Sequence, residues 1–487
     1  MTGLRDPGAT ELDVAARVVE LVHEMAGPAA EAEVTVVRHD LALTRFANSF
    51  IHQNVAESQV TVRLRVHVDG RTAAGGGSLV GPDGLRALVG RTLAAARLCP
   101  PDPAWPGLTP PSAVRSNGLL DEATAYAEPA ARADRVRAFV DAVDGLEAAG
   151  YCRTSYRSAA FANSAGQAAQ GRTTEAAMDG IARTGGADGV ARICAGRLDE
   201  VDGTVLGVRA AGKARAAADP VELPPGRYEV VLEPAAVADL LQNLAWYGFN
   251  GKRHVEGQSF ARPGTAQFDP AVTLLDDPTY GGAMPFDLEG TPRTALTLVE
   301  AGTTRAVAHD RRSAAGAGTS STGHGAPGGA TFGPIPRNLR MPGAPQAAAD
   351  GGADDGAVGP QGGAVGPASG GGPVAGAVAD ADTAALVAPM ARGLLVSDFW
   401  YTRVLDPKSL VITGLTRNGV WLVEDGVPVR AVRNFRFTEA YPRALGPGAV
   451  LGLGRRPVRQ PDRFDGGWWE GPPLRLASWN FTGGASG

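Results

Sequence analysis

Cysteine is scarce in this chain. Cys99, Cys152 and Cys194 are the three present, far apart and without C-x-x-C spacing. That argues against a disulfide framework and suits a reducing compartment. A dominant charge is missing too: the net charge is −5 and the isoelectric point near 5.9. Acidic and basic residues are mixed along the chain, leaving no polybasic patch and no electrostatic footprint for nucleic acid. No apolar run approaches the length of a membrane span, and the opening MTGLRDPGATELD has no apolar signal core. The expectation is a cytoplasmic protein. What remains is 487 residues, enough for two or three domains with sizeable cores. Ala, Gly and Arg are heavily used.

In chain order, residues 10–26 predict a first helix with Thr10 as N-cap, Asp13 in its first turn, and Ala15, Val18, Val19 and Val22 inward. A strand follows near Glu33–His39. Gln59–Asp69 is the cleanest strand: Val60, Val62, Leu64, Val66 and Val68 alternate with Thr61, Arg63, Arg65 and His67. Asp69-Gly70 signals a hairpin. A second helix is expected over 82–98 and a third over Ala130–Ala149, closed by Gly150. Tyr151–Gly212 reads as short strands. Phe-Ala-Asn-Ser occurs twice, at 46–49 and 161–164. It is either chance in an Ala-rich chain or two hairpins sharing one Asn-Ser turn chemistry.

These patterns predict an α+β fold. Residues 1–213 form an N-terminal α+β domain of helices and antiparallel strands. A linker spans 214–226. Residues 227–487 form a mostly antiparallel β domain with one long helix. Its strand candidates include Val272–Leu275, Ala295–Ala301, Leu394–Ser397, Leu410–Thr413 and Val420–Glu424, with a hairpin at Asp425-Gly426 leading into Val427–Val432. Within it, 341–380 is low-complexity Gly/Ala/Pro and reads as a disordered insertion, too poor in large apolar residues to offset ordering entropy.

The second half is organised around Arg227–Phe260. Tyr228, Val230 and Leu232 suit a buried strand, and Pro234 stands where a first helical turn tolerates it. Val237, Leu240, Leu241 and Leu244 then recur at i, i+3, i+4 and i+7 up to Gly248. This stretch resembles the TldD/PmbA family of bacterial peptidases, whose catalytic branch carries H-E-x-x-x-H on the corresponding helix. In that branch the two histidines bind zinc and the glutamate is the general base. Aligning Val231-Leu232-Glu233-Pro234 with the family's V-L-x-P turn puts Gln242 and Tyr247 at the histidine positions and Asn243 at the glutamate position. Amides and a phenol are poor zinc ligands, and an amide cannot take a proton from water as a carboxylate does. No cysteine follows the helix to supply the family's last ligand. The chain is therefore similar to the non-catalytic TldE (PmbA) branch.

Further motifs keep the family's order. Arg45-Phe46-Ala47-Asn48 and Asn163-Ser164-Ala165-Gly166 resemble its two early turns. Gly257-Gln258-Ser259-Phe260, Leu275-Asp276-Asp277-Pro278, Phe286–Pro292, Ser321–Gly325 and Pro336–Leu339 resemble later ones, as does Asn418–Gly426. The resemblance implies no catalytic residue and no metal ligand in this chain. It also implies a zinc-bearing TldD-like partner subunit, and unfolded or leader peptides as substrate.

Other readings stay open. His254, Glu256, Asp287 and His324 could form a relocated metal site in an active hydrolase. The bland account is that Asp287 and Glu289 hold turns and His324 is a satisfied imidazole. Ser259, Asp287, Glu289 and His324 are candidates for structural or peptide-contacting roles; Ser259 has no base nearby in sequence to make it a nucleophile. Gln242, Asn243 and Tyr247 are either inert replacements or contacts to peptide or partner. Trp468-Trp469 either completes a core or anchors an interface. A homo-oligomeric peptide-binding or scaffold protein is the third functional class.

Overall fold

Thr10 caps the first helix, α1 (Glu11–Ala26), and exchanges bonds with Asp13 in a capping box. The computed structural model that shows this describes residues 10–115, 120–345, 378–461 and 467–484. The fold is α+β, with mainly antiparallel sheets.

The first sheet holds β1 (Glu31–Ala47), β2 (Phe50–Val68), β3 (Arg71–Gly77), β4 (Glu147–Asn163), β5 (Ala168–Arg183) and β6 (Asp188–Ala195). Its order is β3-β2-β1-β4-β5-β6, antiparallel throughout. α1 and α2 (Pro82–Leu98) pack on one end of it. They bury Val18, Leu21, Val22, Leu85, Leu88 and Val89 against Val34, Val62, Leu64 and Val66. After α3 (Glu122–Ala125), α4 (Pro129–Ala142) and α5 (Gly203–Ala216) cover the other end, around Phe139 and Met178.

Several expectations change here. The strands are long: β4 has 17 residues and β5 has 16, not short pieces. The third helix stops at Ala142 because Asp144 and Gly145 take positive φ and turn the chain into β4. Gly150 closes no helix. It lies inside β4 at φ +150, where a Cβ would sit 2.1 Å from the Asp179 carbonyl oxygen. α5 falls in a stretch read as strands, and its last turn takes up Ala214–Ala216 of the expected linker. It carries few large apolar residues, so periodicity does not reveal it. Small residues let it approach closely: a Cβ on Gly207 would lie 2.6 Å from the Phe139 carbonyl oxygen.

The repeated Phe-Ala-Asn-Ser ends a strand both times, but with different chemistry. Asn48 and Ser49 both take positive φ in a two-residue hairpin. Asn163 instead accepts bonds from the amides of Ala165 and Gln167 in a wider turn.

The second half begins with β7 (Gly226–Leu232). A small sheet contains β8 (Leu274–Asp276), β9 (Leu296–Glu300), β10 (Thr303–Thr304), β11 (Leu339–Arg340), β17 (Val458–Pro461) and β18 (Trp468–Gly471). A larger one contains β7, β12 (Arg392–Asp406), β13 (Val411–Glu424), β14 (Val427–Ala431), β15 (Phe435–Ala440), β16 (Val450–Leu453) and β19 (Leu474–Gly484). Its order runs β12-β7-β19-β15-β13, and β13 pairs back with β12, closing a ring of five strands. The predicted fragments Leu410–Thr413 and Val420–Glu424 are two ends of the single strand β13. Between the ring and the small sheet lies α6 (Pro234–Asn243), packed on β12 and β18. Its Val237, Leu240, Leu241 and Leu244 share one core with Phe399, Phe437, Trp469 and Trp479. Trp468 and Trp469 are both buried, so the pair completes cores. Trp468 packs with Ala177 and Cys194 of the first sheet. The expected 341–380 insertion lies outside the described residues over 346–377.

Candidate functional site

The strand-to-helix turn delivers Glu233 as N-cap and Pro234 as first residue of α6. The helix runs as α to Asn243. Leu244–Gly248 then widens into a π turn, closed by the Phe249 amide on the Leu244 carbonyl at 2.9 Å. This widening matters for the motif positions. In an α-helix, residues i and i+5 point about 140° apart. A π turn adds a residue per turn and brings them toward one face. Gln242, Trp246 and Tyr247 are half-buried between fully buried neighbours, so they share the exposed stripe of this helix. Positions 242 and 247, at i and i+5, carry an amide and a phenol.

Asn243 is buried and held on three sides. Its Nδ2 donates to the Asp239 carbonyl at 2.9 Å, to Asp239 Oδ1 at 3.2 Å and to Thr402 Oγ1 at 3.3 Å. Thr402 in turn donates to Asp239 Oδ2 at 3.0 Å. The triangle ties α6 to β12. Tyr247 lies under the Arg253 guanidinium, 5.0 Å from its ring centroid. Trp246 meets Phe332 edge-on at 6.3 Å. Asp239 and Thr402 escaped the sequence reading. Asp239 sits one helical turn before Asn243, a signal that could have been followed, whereas Thr402 is joined to them only by folding.

Ser259 lies at the end of the same segment. Its Oγ donates to the Gly248 carbonyl at 2.6 Å and accepts from the Ala261 amide at 3.0 Å. It ties down the exit of the π turn.

Asp287, Glu289 and His324 gather in a second place, between the two halves of the chain. Asp287 accepts from the amides of Glu289, Thr291 and Gly325. Burial, with Glu289 beside it, pushes its carboxyl up to about 8. Glu289 takes Arg65 Nη2 at 2.8 Å and the Arg311 amide at 2.8 Å. Arg65 also pairs with Glu33 at 2.6 Å. Burial pushes Glu33 up to about 7 although Arg65 pulls the other way. His324 bonds to Thr322 at 2.9 Å and lies 3.2 Å from Asp276. Burial would raise the Asp276 carboxyl, but Arg293 and His324 more than offset it and hold it well below the usual range. His254 sits on the short helix Gly251–Val255, while Glu256 pairs with Lys252. Asp287 and His324 thus serve turns and ion pairs, and His254 and Glu256 belong to another element. Among the described residues no three His, Cys, Asp or Glu side chains are grouped to hold a metal ion. The donor chemistry around Gln242 and Tyr247 does not fit zinc.

Several clefts run between the halves. One, of about 1000 Å³, lies beside Trp400 and Tyr401 of β12, next to Thr402. Another, of about 600 Å³, lies over Arg65 and Glu289 and is walled by Gly325–Ala330. Among the described residues no helix is long and apolar enough to cross a membrane.

A family model described as PmbA/TldA metallopeptidase C-terminal domain matches residues 225–483. Three of the solved structures that share the fold illustrate this. The structure of TldE from Thermococcus kodakarensis is 17% identical, with 96% of this chain and 100% of that chain covered and a TM-score of 0.78. A putative modulator of DNA gyrase from Bacteroides thetaiotaomicron is 16% identical, covering 96% and 98%, with a TM-score of 0.75. A putative modulator of a DNA gyrase from Thermotoga maritima is 15% identical, covering 97% and 100%, with a TM-score of 0.74. No curated protein sequence matches the chain.

Proposed function

Because the chain belongs to the PmbA/TldD metallopeptidase family, we propose that it is a non-catalytic, TldE-like subunit of a two-chain cytoplasmic zinc protease. Its partner would be a TldD-like subunit carrying H-E-x-x-x-H, which supplies metal, water and base. The substrates would be unfolded or leader peptides. This chain would wall part of the cavity and help hold the peptide extended.

One observation carries the reading. Asn243 occupies the general-base position and its amide is spent on Asp239 and Thr402. It can neither deprotonate water nor turn toward a metal without breaking the tie between α6 and β12. Gln242 and Tyr247 beside it complete a set of neutral side chains on a helix that widens into a π turn.

The test is capture of partners by the tagged full-length chain from its own cells, followed by peptide cleavage with and without the captured chain. Recovery of an H-E-x-x-x-H protein, with cleavage only in the mixture, is the expected result. If the purified chain alone, supplied with zinc, cleaves an unfolded peptide and loses that activity on chelation, the assignment fails and the active-hydrolase reading replaces it. Self-association as the only interaction would support a scaffold instead.

A further inference from the structure

Among the described residues β3 is the outer strand of the first sheet and pairs only with β2. The register places Val68 opposite Arg71 across the Asp69-Gly70 turn, where both turn residues have positive φ. In such a two-residue hairpin the flanking pair exchanges both backbone bonds, and bonded pairs then alternate. Arg71, Ala73, Gly75 and Gly77 therefore point their backbone groups inward to β2. Thr72, Ala74 and Gly76 point theirs outward. Edge strands are normally blunted by Lys, Pro or a bulge. β3 reads RTAAGGG and pairs without a register break. Ala74 and Gly76 are exposed.

This edge borders the cleft of about 600 Å³. The opposite wall, Gly325–Ala330, is also glycine-rich, so few side chains obstruct the space between. From this placement we infer that the outer edge of β3 binds one extended peptide strand by main-chain pairing to Thr72, Ala74 and Gly76. The inference rests on the reading of this chain as a peptide-holding subunit and assigns the holding to a place. Recognition through backbone groups is blind to sequence and demands an unfolded chain. With the facing loop Gly325–Ala330 the cleft holds about 600 Å³, which suits a single strand more than the edge of a second folded sheet.

The experiment uses the full chain alone, with a fluorescein-labelled unstructured peptide of alternating Thr and Ser. Saturating peptide should slow hydrogen exchange at the amides of Ala74 and Gly76 by about tenfold, the protection of a single net hydrogen bond. Ala74→Pro removes an outward donor at an edge position that tolerates proline, and should weaken peptide binding by a similar factor with the melting temperature kept. Methylating alternate peptide nitrogens should do the same to the wild-type chain, so the question is answered even if the proline variant misfolds. Peptide binding without protection of β3, or indifferent to N-methylation, overturns the inference. Protection that rises with protein concentration in the absence of peptide also overturns it, by making a second copy the occupant. None of these outcomes depends on finding a zinc-bearing partner.

Discussion

Lys213 Nζ lies 2.5 Å from Glu233 Oε2, and both side chains are buried. The pair joins α5, packed on the first sheet, to the residue that caps α6. Arg209 reaches the other oxygen of Glu233 at 2.8 Å, and Ser397 accepts from Lys213 at 2.8 Å. Burial dominates at Lys213 and lowers its pKa despite the carboxylate beside it. The entry to α6 is thus held by a network of four charges, since Arg209 also pairs with Asp380 at 3.0 Å, and its members lie in both halves of the chain.

Removing the shared anion should cost more than removing either cation. Glu233→Gln leaves the buried Lys213 facing a neutral amide, while Arg209 keeps Asp380 at 3.0 Å, and a loss of about 3–5 kcal/mol is expected. Lys213→Met leaves Arg209 to neutralise Glu233, so it should cost clearly less. Urea denaturation of the two variants checks the order; equal losses would contradict the network as described.

The buried carboxyls between the halves should make stability fall as pH rises. Glu33 and Asp287 have folded-state pKa values raised to about 7 and about 8. A raised acid binds its proton more tightly folded than unfolded. Its contribution is complete below the ordinary carboxyl range, near pH 4, and is lost through about pH 8. Glu33→Gln and Asp287→Asn should each flatten the decline in melting temperature between pH 5 and 8, roughly the window this linkage sets. An unchanged slope in both would contradict the assignment.

At the motif itself, Asn243→Ala should be a stability lesion. It removes the donor to Asp239 and Thr402 and leaves buried acceptors short of a partner, at a cost of about 1–3 kcal/mol. Thermal melting measures this. Asn243→Glu, which adds a carboxylate alone, should create no zinc-dependent cleavage, because Gln242 and Tyr247 remain unfit to hold the ion.

Ser259→Ala tests whether that hydroxyl does more than pin the π turn. Loss of its bonds to Gly248 and Ala261 should cost about 1 kcal/mol. Peptide binding by the folded chain should be unaltered, and a large drop in affinity at constant stability would assign Ser259 to the peptide instead.

Local patterns were legible where one side-chain period governs one element. The capping box at Thr10 and Asp13, the helix over 82–98, the alternation across Gln59–Asp69 and the turns at Asp69-Gly70 and Asp425-Gly426 all depend on near neighbours in sequence. α5 was hidden because its Ala and Gly residues pack by closeness, which leaves no hydrophobic stripe to count. Gly150 read as a helix stop because nothing in the sequence reveals that the Asp179 carbonyl and the Phe46 ring crowd it from other strands.

The same division runs through the site. Residue chemistry alone determined that Gln242, Asn243 and Tyr247 offer two amides and a phenol, neither imidazole nor carboxylate, since donor type is a property of the side chain. Only the tertiary structure decided what those residues do instead. Thr402 and Asn243 are 159 residues apart in the chain, and Lys213 and Ser397 are 184 apart. Contacts at such separations arise from strand order and helix packing, and no local period encodes them.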